Sequence, residues 1–245
     1  LFNNLTIDLE STIGKGYTSG KDVDVANLDD GDRFGSAVSL NSVGDRLAVG
    51  AEDDDGAGNA ETDTGAATLF SFADADFNSG TLESTIGKGY TAGPKDVNVT
   101  IDNNDNFGGS LSLNSSGERL AVGAIQDDGA GNAANTTGAV YLFSFTDTDF
   151  NSGTLESTLG SGYTGGKNVD VANLDDNDRF GSGVSMNGVG DRLAVGAEQD
   201  DGAGNNASGT GAAYLFSFSN INFSDGMRES TVGKNYTDSS KDINV

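Results

Sequence analysis

The sequence repeats itself every 73 residues, and that period limits the fold more than any single residue does. Phe34-Gly35, Phe107-Gly108 and Phe180-Gly181 stand at this spacing, as do Phe70, Phe143 and Phe216. The series Glu10, Glu83, Glu156, Glu229 and Tyr17, Tyr90, Tyr163, Tyr236 keep the same step. One structural unit has been copied three times with part of a fourth, so the chain must fold as stacked units that cover one another. A catalytic centre made once would have to lie outside this pattern, and almost nothing does.

Within a unit the signal is period-two. In the first copy Phe34 to Leu40, Arg46 to Ala51, Ala66 to Phe72 and Leu82 to Ile86 are short apolar alternations with Gly or Asn at the breaks, which predicts four β-strands. Asn41 to Gly44, Asn114 to Gly117 and Asn187 to Gly190 predict tight hairpins between the first two strands. A four-stranded antiparallel sheet of this size cannot bury both faces alone, so adjacent units must pack face to face. The expected organisation is a leading strand and linker over 1–33, repeat 1 over 34–106, repeat 2 over 107–179, and repeat 3 with a terminal extra strand over 180–245.

Composition removes whole classes of chemistry. There is no Cys and no His, hence no disulfide, no Cys or His zinc site and no Ser-His-Asp triad. Thirty-eight Asp plus Glu against 13 Lys plus Arg give a formal charge of -25, which disfavours nucleic acid and anionic lipid and favours cations or a salty medium. No apolar run approaches the roughly 20 residues of a membrane span. The abundance of Asp, Asn, Gly, Ser and Thr predicts an extracellular or cell-surface location, and a chain starting at Leu1 is expected to be a processed product or an excerpt. Sequons at Asn4, Asn98, Asn114, Asn135, Asn206, Asn222 and Asn235 permit surface glycosylation without repeating in register.

The three-part pattern Phe34-Gly35, Arg46-Leu-Ala-Val-Gly-Ala51 and Gly65-Ala-Ala-Thr-Leu-Phe70 recurs at Phe107, Arg119 to Ala124 and Gly138 to Phe143, and again at Phe180, Arg192 to Ala197 and Gly211 to Phe216. This resembles the FG-GAP repeats of integrin-type β-propellers and their bacterial relatives. The resemblance implies an all-β fold of tandem four-stranded antiparallel blades in an extracellular adhesion or ligand-binding protein. Three repeats are fewer than a closed propeller contains, and Leu9 to Ile13 duplicates Arg228 to Val232, so the expectation is an open array or one completed by a neighbouring chain. Many family members place an Asp-rich calcium loop before the Val-Gly-Ala strand; here the short hairpins at Gly44, Gly117 and Gly190 take that slot.

Calcium is the candidate cofactor at two other recurring loops. One holds Asp54, Asp55 and Asn59, then Asp127, Asp128 and Asn132, then Asp200, Asp201 and Asn205, where carboxylates and an amide oxygen flank flexible glycines. The other places oxygen ligands at alternate positions, as Asp74, Asp76 and Asn78 and again as Asp147, Asp149 and Asn151; its third copy, Asn220, Asn222 and Ser224, has lost the charge. Both also read as metal-free turns, the first a solvated hairpin and the second an Asx-turn. Asp29 to Asp32 and Asp175 to Asp178 adjoin Arg33 and Arg179 and predict a salt-bridged turn. Tyr17 and Tyr90 are expected as packed loop aromatics, with stacking on a sugar as the alternative.

The functional expectation is a non-enzymatic structural or adhesive protein that self-associates head to tail or by strand exchange into a fibre, sheath or surface stalk. A closed propeller binding a glycan or protein ligand is the alternative.

Overall fold

Alternating apolar residues and Gly- or Asn-rich breaks produce seventeen strands across residues 9–245, the part of the chain that the computed structural model describes; no helix occurs among them, so none is long and apolar enough to cross a membrane. The Asn4 sequon lies outside the described residues. A two-stranded leaf of β1 (Ile13–Gly14) and β2 (Val23–Asp24) comes first. Blade 1 is β3 (Phe34–Leu40), β4 (Arg46–Ala51), β5 (Ala66–Ser71), β6 (Thr81–Gly87) and β7 (Val97–Asn98). Blade 2 is β8 (Phe107–Leu113), β9 (Arg119–Ala124), β10 (Ala139–Ser144), β11 (Thr154–Gly160) and β12 (Val169–Asp170). Blade 3 is β13 (Phe180–Met186), β14 (Arg192–Ala197), β15 (Ala212–Ser217), β16 (Met227–Gly233) and β17 (Ile243–Asn244).

Two expectations need correction. Each blade has five strands rather than four: the fifth, two residues long, pairs in parallel with the fourth and makes the sheet mixed. Side chains place it, because Asp96 Oδ1 accepts the Thr85 N–H (2.9 Å) and Asn98 Oδ1 accepts the Gly89 N–H (2.7 Å). Second, Leu9 to Ile13 is not a strand along its length. Only Ile13–Gly14 pairs, with β2, since no described residue plays toward this stretch the part that β5 plays toward β6. Its counterpart Arg228 to Val232 is no surplus either; it lies in β16, antiparallel to β15, as the fourth strand of blade 3.

The Phe-Gly and Val-Gly-Ala elements meet between blades. Phe107 is fully buried, and the next residue, Gly108, takes φ +96 at a register skip in β8, a conformation that glycine adopts without steric cost. Its carbonyl then reaches Gly50 of blade 1, so close that a Cβ there would lie 2.0 Å from Gly108 O. Gly181 and Gly123 repeat the contact at the next junction, at 2.3 Å. Backbone bonds extend it: Asn104, Asn106 and Phe107 donate to the carbonyls of Thr62, Asp63 and Thr64, and Asn177, Arg179 and Phe180 do the same to Asn135, Thr136 and Thr137.

These junctions hold the cores. Ala48, Ala67, Leu69 and Ile86 on the forward face of blade 1 pack against Phe107, Leu111, Leu120 and Val122 on the rear face of blade 2. Ala121, Val140, Leu142 and Leu159 meet Phe180, Leu193 and Val195 of blade 3 in the same way. The leaf covers part of the rear of blade 1, with Val23 and Val25 against Phe70 and Phe72. Each buried Phe or Leu contributes about 1.5–3 kcal/mol, so face burial dominates the cohesion of the stack. At the far end of the strands the predicted hairpins form, with Asn41 Oδ1 accepting from the Gly44, Asp45 and Arg46 N–H groups, and they stack through Ser42 N–H to Ser115 O and Ser115 N–H to Gly188 O.

Candidate functional site

The first calcium candidate loop separates its carboxylates. Asp127 is 2% exposed and turns inward, accepting from Gly129 N–H (2.8 Å), Tyr141 OH (2.8 Å) and Tyr163 OH (2.9 Å). Asp200 repeats this with Gly202, Tyr214 and Tyr236. Asp54 has Gly56 and Tyr90 alone, because Thr68 stands where the other blades have a second tyrosine. Burial, then the adjacent carboxylate, pushes the Tyr90, Tyr141 and Tyr163 phenols well above their usual range and keeps them donors. Burial also raises the Asp54 and Asp127 carboxyls, with the tyrosine hydrogen bonds pulling the other way.

The remaining members of that loop look elsewhere. Asp55, Asp128 and Asp201 accept the N–H groups of Asp63, Thr136 and Gly209, which shapes the long hairpin. Asn59 donates to Asp29 (2.8 Å) and Asn205 to Asp175, while the Asn132 N–H caps Gly129 O. Among the described residues no three acidic side chains converge in a group that could hold a metal ion.

The second candidate loop is a clasp between blades. Asp74 accepts from the N–H groups of Asp76 and Asn78 and from the Asn78 amide (2.8 Å); Asp147 does so with Asp149 and Asn151. The amide bond, above all, holds both carboxyls below the usual carboxylate range. The loop carbonyls receive cations from the preceding unit: Lys21 reaches Asp76 O (2.7 Å), Lys95 reaches Asp149 O (2.7 Å) and Lys167 reaches Asn222 O (2.9 Å). Arg46 donates through Nε to Thr148 O and lies 3.0 Å from Asp149 Oδ1; Arg119 does the same with Ile221 O and Asn222. Each clasping lysine beyond the leaf also pairs with a glutamate, Lys95 with Glu83 and Lys167 with Glu156. Burial opposes ionisation of these glutamates, and the ammonium and serine partners overcome it, holding both carboxyls low.

The third acidic cluster corrects another expectation. Arg33 pairs with Glu52 and Asp53 (2.9 Å), and Arg179 with Glu198, not with the aspartates beside them, because both arginines sit at positive φ and turn back toward their own second strand. Asp32, Asp105 and Asp178 instead fold onto the N–H groups of Asp29, Asp102 and Asp175. Burial, joined by Asp127, pushes the Asp105 carboxyl up to about 7; burial, joined by Asp200, raises Asp178 to about 6.

Sequence reasoning missed the clasp arginines and the aspartate that anchors each tyrosine. Position was the available signal: in a chain so poor in cations, Arg46, Arg119 and Arg192 fall at one place in every repeat, as do Lys21, Lys95, Lys167 and Lys241. Of the tyrosines, Tyr90, Tyr163 and Tyr236 are packed in the loops, whereas Tyr17 is exposed.

Two surfaces remain open. Ala194, Ala213, Leu215 and Val232 form the forward face of blade 3 and are partly exposed, where their counterparts in blades 1 and 2 are fully buried. A concavity of about 630 Å³ runs along it, lined by Arg192, Leu215, Phe216, Glu229 and Lys241. A second groove of about 910 Å³ lies between the leaf and blade 1, with Asp29, Asp54, Asn59, Tyr90 and Asp96 in its walls.

Three stacked mixed sheets, none closed on another, define an open array of propeller-like blades. Residues 101–143 and 172–216 match the FG-GAP repeat family model, so the chain carries FG-GAP repeats. Among solved structures, Saccharomyces cerevisiae Sqt1 is similar at a TM-score of 0.42 and 12% identity, over 83% of this chain and 36% of that one. The chain thus spans about a third of that protein's length. No curated protein matches it.

Proposed function

We propose that this chain is a structural or adhesive repeat protein of the cell exterior, non-catalytic, that associates head to tail or by strand exchange into a fibre, sheath or surface stalk. The observation that carries the reading is the junction repeated between successive blades, where the forward face of one blade meets the unlike rear face of the next, Gly50 beneath Gly108 O and Gly123 beneath Gly181 O. Unlike faces that join without closing generate filaments. The recurring acids and tyrosines support the same role, since their hydrogen bonds hold hairpins and junctions together. Electron microscopy of the natively isolated protein tests it: fibres with a regular axial repeat are expected, and dispersed single particles at every concentration would overturn it.

Calcium is proposed at the Asp74 and Asp147 loops, where the exposed Asp76 and Asp149 carboxylates supply oxygens and a cation would offset the charge of -25. It must compete with the Asn78 and Asn151 amides for Asp74 and Asp147. A melting temperature unchanged by chelator removes this part. The groove between leaf and blade 1 favours a second reading, a binding module for a glycan, because its walls are rich in Asp, Asn and Thr oxygens. Saccharide titration followed by shifts of Tyr90 and Asn59 resonances tests that reading.

A further inference from the structure

We infer that each of the two junctions between blades holds a pocket for a small organic cation, a primary ammonium carried on a short methylene chain. The pocket is a ligand site in addition to the structural role above and stands without it.

At the first junction the segment that leaves blade 1 and the outer strands of blade 2 enclose a cavity of about 410 Å³, lined by Asp105, Asp127, Tyr141, Leu155, Thr158 and Tyr163 among others. None of its lining residues is a lysine or an arginine. Both carboxylates are withdrawn from water, Asp105 at 6% exposure and Asp127 at 2%. Asp127 is served by the Gly129 N–H and two phenols. Asp105 receives only the Asp102 N–H, on Oδ2, and its Oδ1 has no hydrogen bond among the described residues. Burial, and then the neighbouring Asp127, already opposes ionisation of Asp105. The component that this cavity lacks is positive charge, because a buried carboxylate is costly until it is paired.

The second junction adds an independent sign of a ligand. Asp178, Asp200, Tyr214, Thr231 and Tyr236 repeat five of these positions 73 residues on, and each is at most 2% exposed. Thr231 pairs with Tyr214 as Thr158 pairs with Tyr141, so it shares the face on which the Tyr214 phenol meets Asp200. The Thr231 hydroxyl is fully buried and has no hydrogen-bond partner. Asp178 accepts the Asp175 N–H on Oδ2, and its Oδ1 has no hydrogen bond among the described residues. In this copy Arg228 and Asp242 take the places of Leu155 and Asn168, and their charges offset each other. A buried hydroxyl and a carboxylate oxygen left over together call for a donor.

Donor count and volume select the class of ligand. An ammonium brings three N–H donors and no acceptor, which matches the Asp178 carboxylate, the Thr231 hydroxyl and a tyrosine oxygen. A bare metal ion fits less well: no three acidic side chains converge among the described residues, and Asp127 and Asp200 are already occupied by phenol and amide donors. The cavity is larger than an ion needs and falls in the range of pockets that hold organic ligands. Its tyrosines and Leu155 give methylene groups an apolar wall and place aromatic rings beside the charge.

Calorimetric titration of the full chain with putrescine tests the pocket, in about 0.15 M salt so that diffuse attraction to the acidic surface is screened. Saturable binding at two sites is expected, and Asp105→Asn combined with Asp178→Asn is expected to weaken it about tenfold or more. Asp30→Asn combined with Asp238→Asn, the same charge change on exposed residues, is expected to leave it unchanged. Thr231→Val removes the unpartnered hydroxyl, so it is expected to melt at or above the wild-type temperature while weakening binding at the second junction about threefold or more. The uncharged diol of the same length as putrescine is expected not to bind. Absence of saturable binding, equal binding of the diol, displacement by equimolar calcium, or an equal loss in the exposed pair overturns the ammonium pocket, and each leaves the structural role standing.

Discussion

The strands β4, β9 and β14 share one sequence, Arg-Leu-Ala-Val-Gly-Ala, and live in three environments. In β9 all six residues are buried; in β4 the first two are half-covered; in β14 the arginine is exposed, and the alanine and glycine of the forward face are half-exposed. Local sequence fixes each as a strand with the same partners, and position in the stack alone decides what each side chain does. The middle copy works as a core element, and the last copy presents the same atoms as surface.

Breaking that comparison starts with the glycine of the middle copy. Gly123→Ala drives a Cβ to 2.3 Å from the Gly181 carbonyl, so blades 2 and 3 must separate, and a loss of about 3 kcal/mol or more in chemical unfolding is expected. Gly196→Ala, the same change one repeat on, is expected to be neutral or to stabilise by a few tenths of a kcal/mol. Arg119→Ala comes next: the side chain is buried against Glu118 O, Phe145 O and Ile221 O, and its removal is expected to cost about 2–3 kcal/mol, against less than about 0.5 for Arg192→Ala. A smaller effect sharpens the difference between the aromatic stations. Tyr163→Phe removes a donor from buried Asp127 and is expected to cost about 1 kcal/mol, whereas Tyr17→Phe, on an exposed ring, leaves the melting temperature unchanged.

Acidity provides the mildest probe. Asp105 and Asp178 have carboxyls raised above the unfolded value near 3.9, so the folded state holds protons that the unfolded state has released. Stability from these two groups is therefore full below about pH 4 and declines as pH rises toward 6 and 7, by at most about 1.4 kcal/mol per pH unit for each. Glu83 and Glu156 act oppositely, and their contribution is lost as pH falls below the unfolded value near 4.3. A stability maximum near pH 4 is expected in denaturant titrations. Asp105→Asn should flatten the decline between pH 5 and 7 and leave the acid limb in place; an unaltered slope would show that Asp105 titrates normally.

How much of this was legible in the sequence depended on range. The Phe34, Arg46 and Ala66 strands and the Asn41 hairpin follow from neighbouring residues, and all three copies form as the period-two pattern predicts. The parallel strand Val97–Asn98 escaped because two residues carry no periodicity and their pairing is set by Asp96 and Asn98 side chains. The aspartate stations escaped because Asp127 and Tyr163 are 36 residues apart, and the arginine clasp because Arg46 and Thr148 are 102 apart, more than one repeat. Asp74 to Asn78 looked the same as a calcium loop or an Asx-turn because both readings require the same oxygens; the geometry shows the turn's bonds and leaves calcium to titration.

The two backbone seams give the stack a mechanical direction. Three hydrogen bonds join blades 1 and 2 along the Thr62 to Thr64 side, and the main chain of the hairpin column contributes one at the same junction, from Ser42 to Ser115. The seams sit at opposite ends of β4, about 20 Å apart. On the hairpin side the side-chain clasp of Arg46 and Lys95 on Thr148 and Asp149 makes up the difference, so that end of each joint answers to salt while the main-chain end does not.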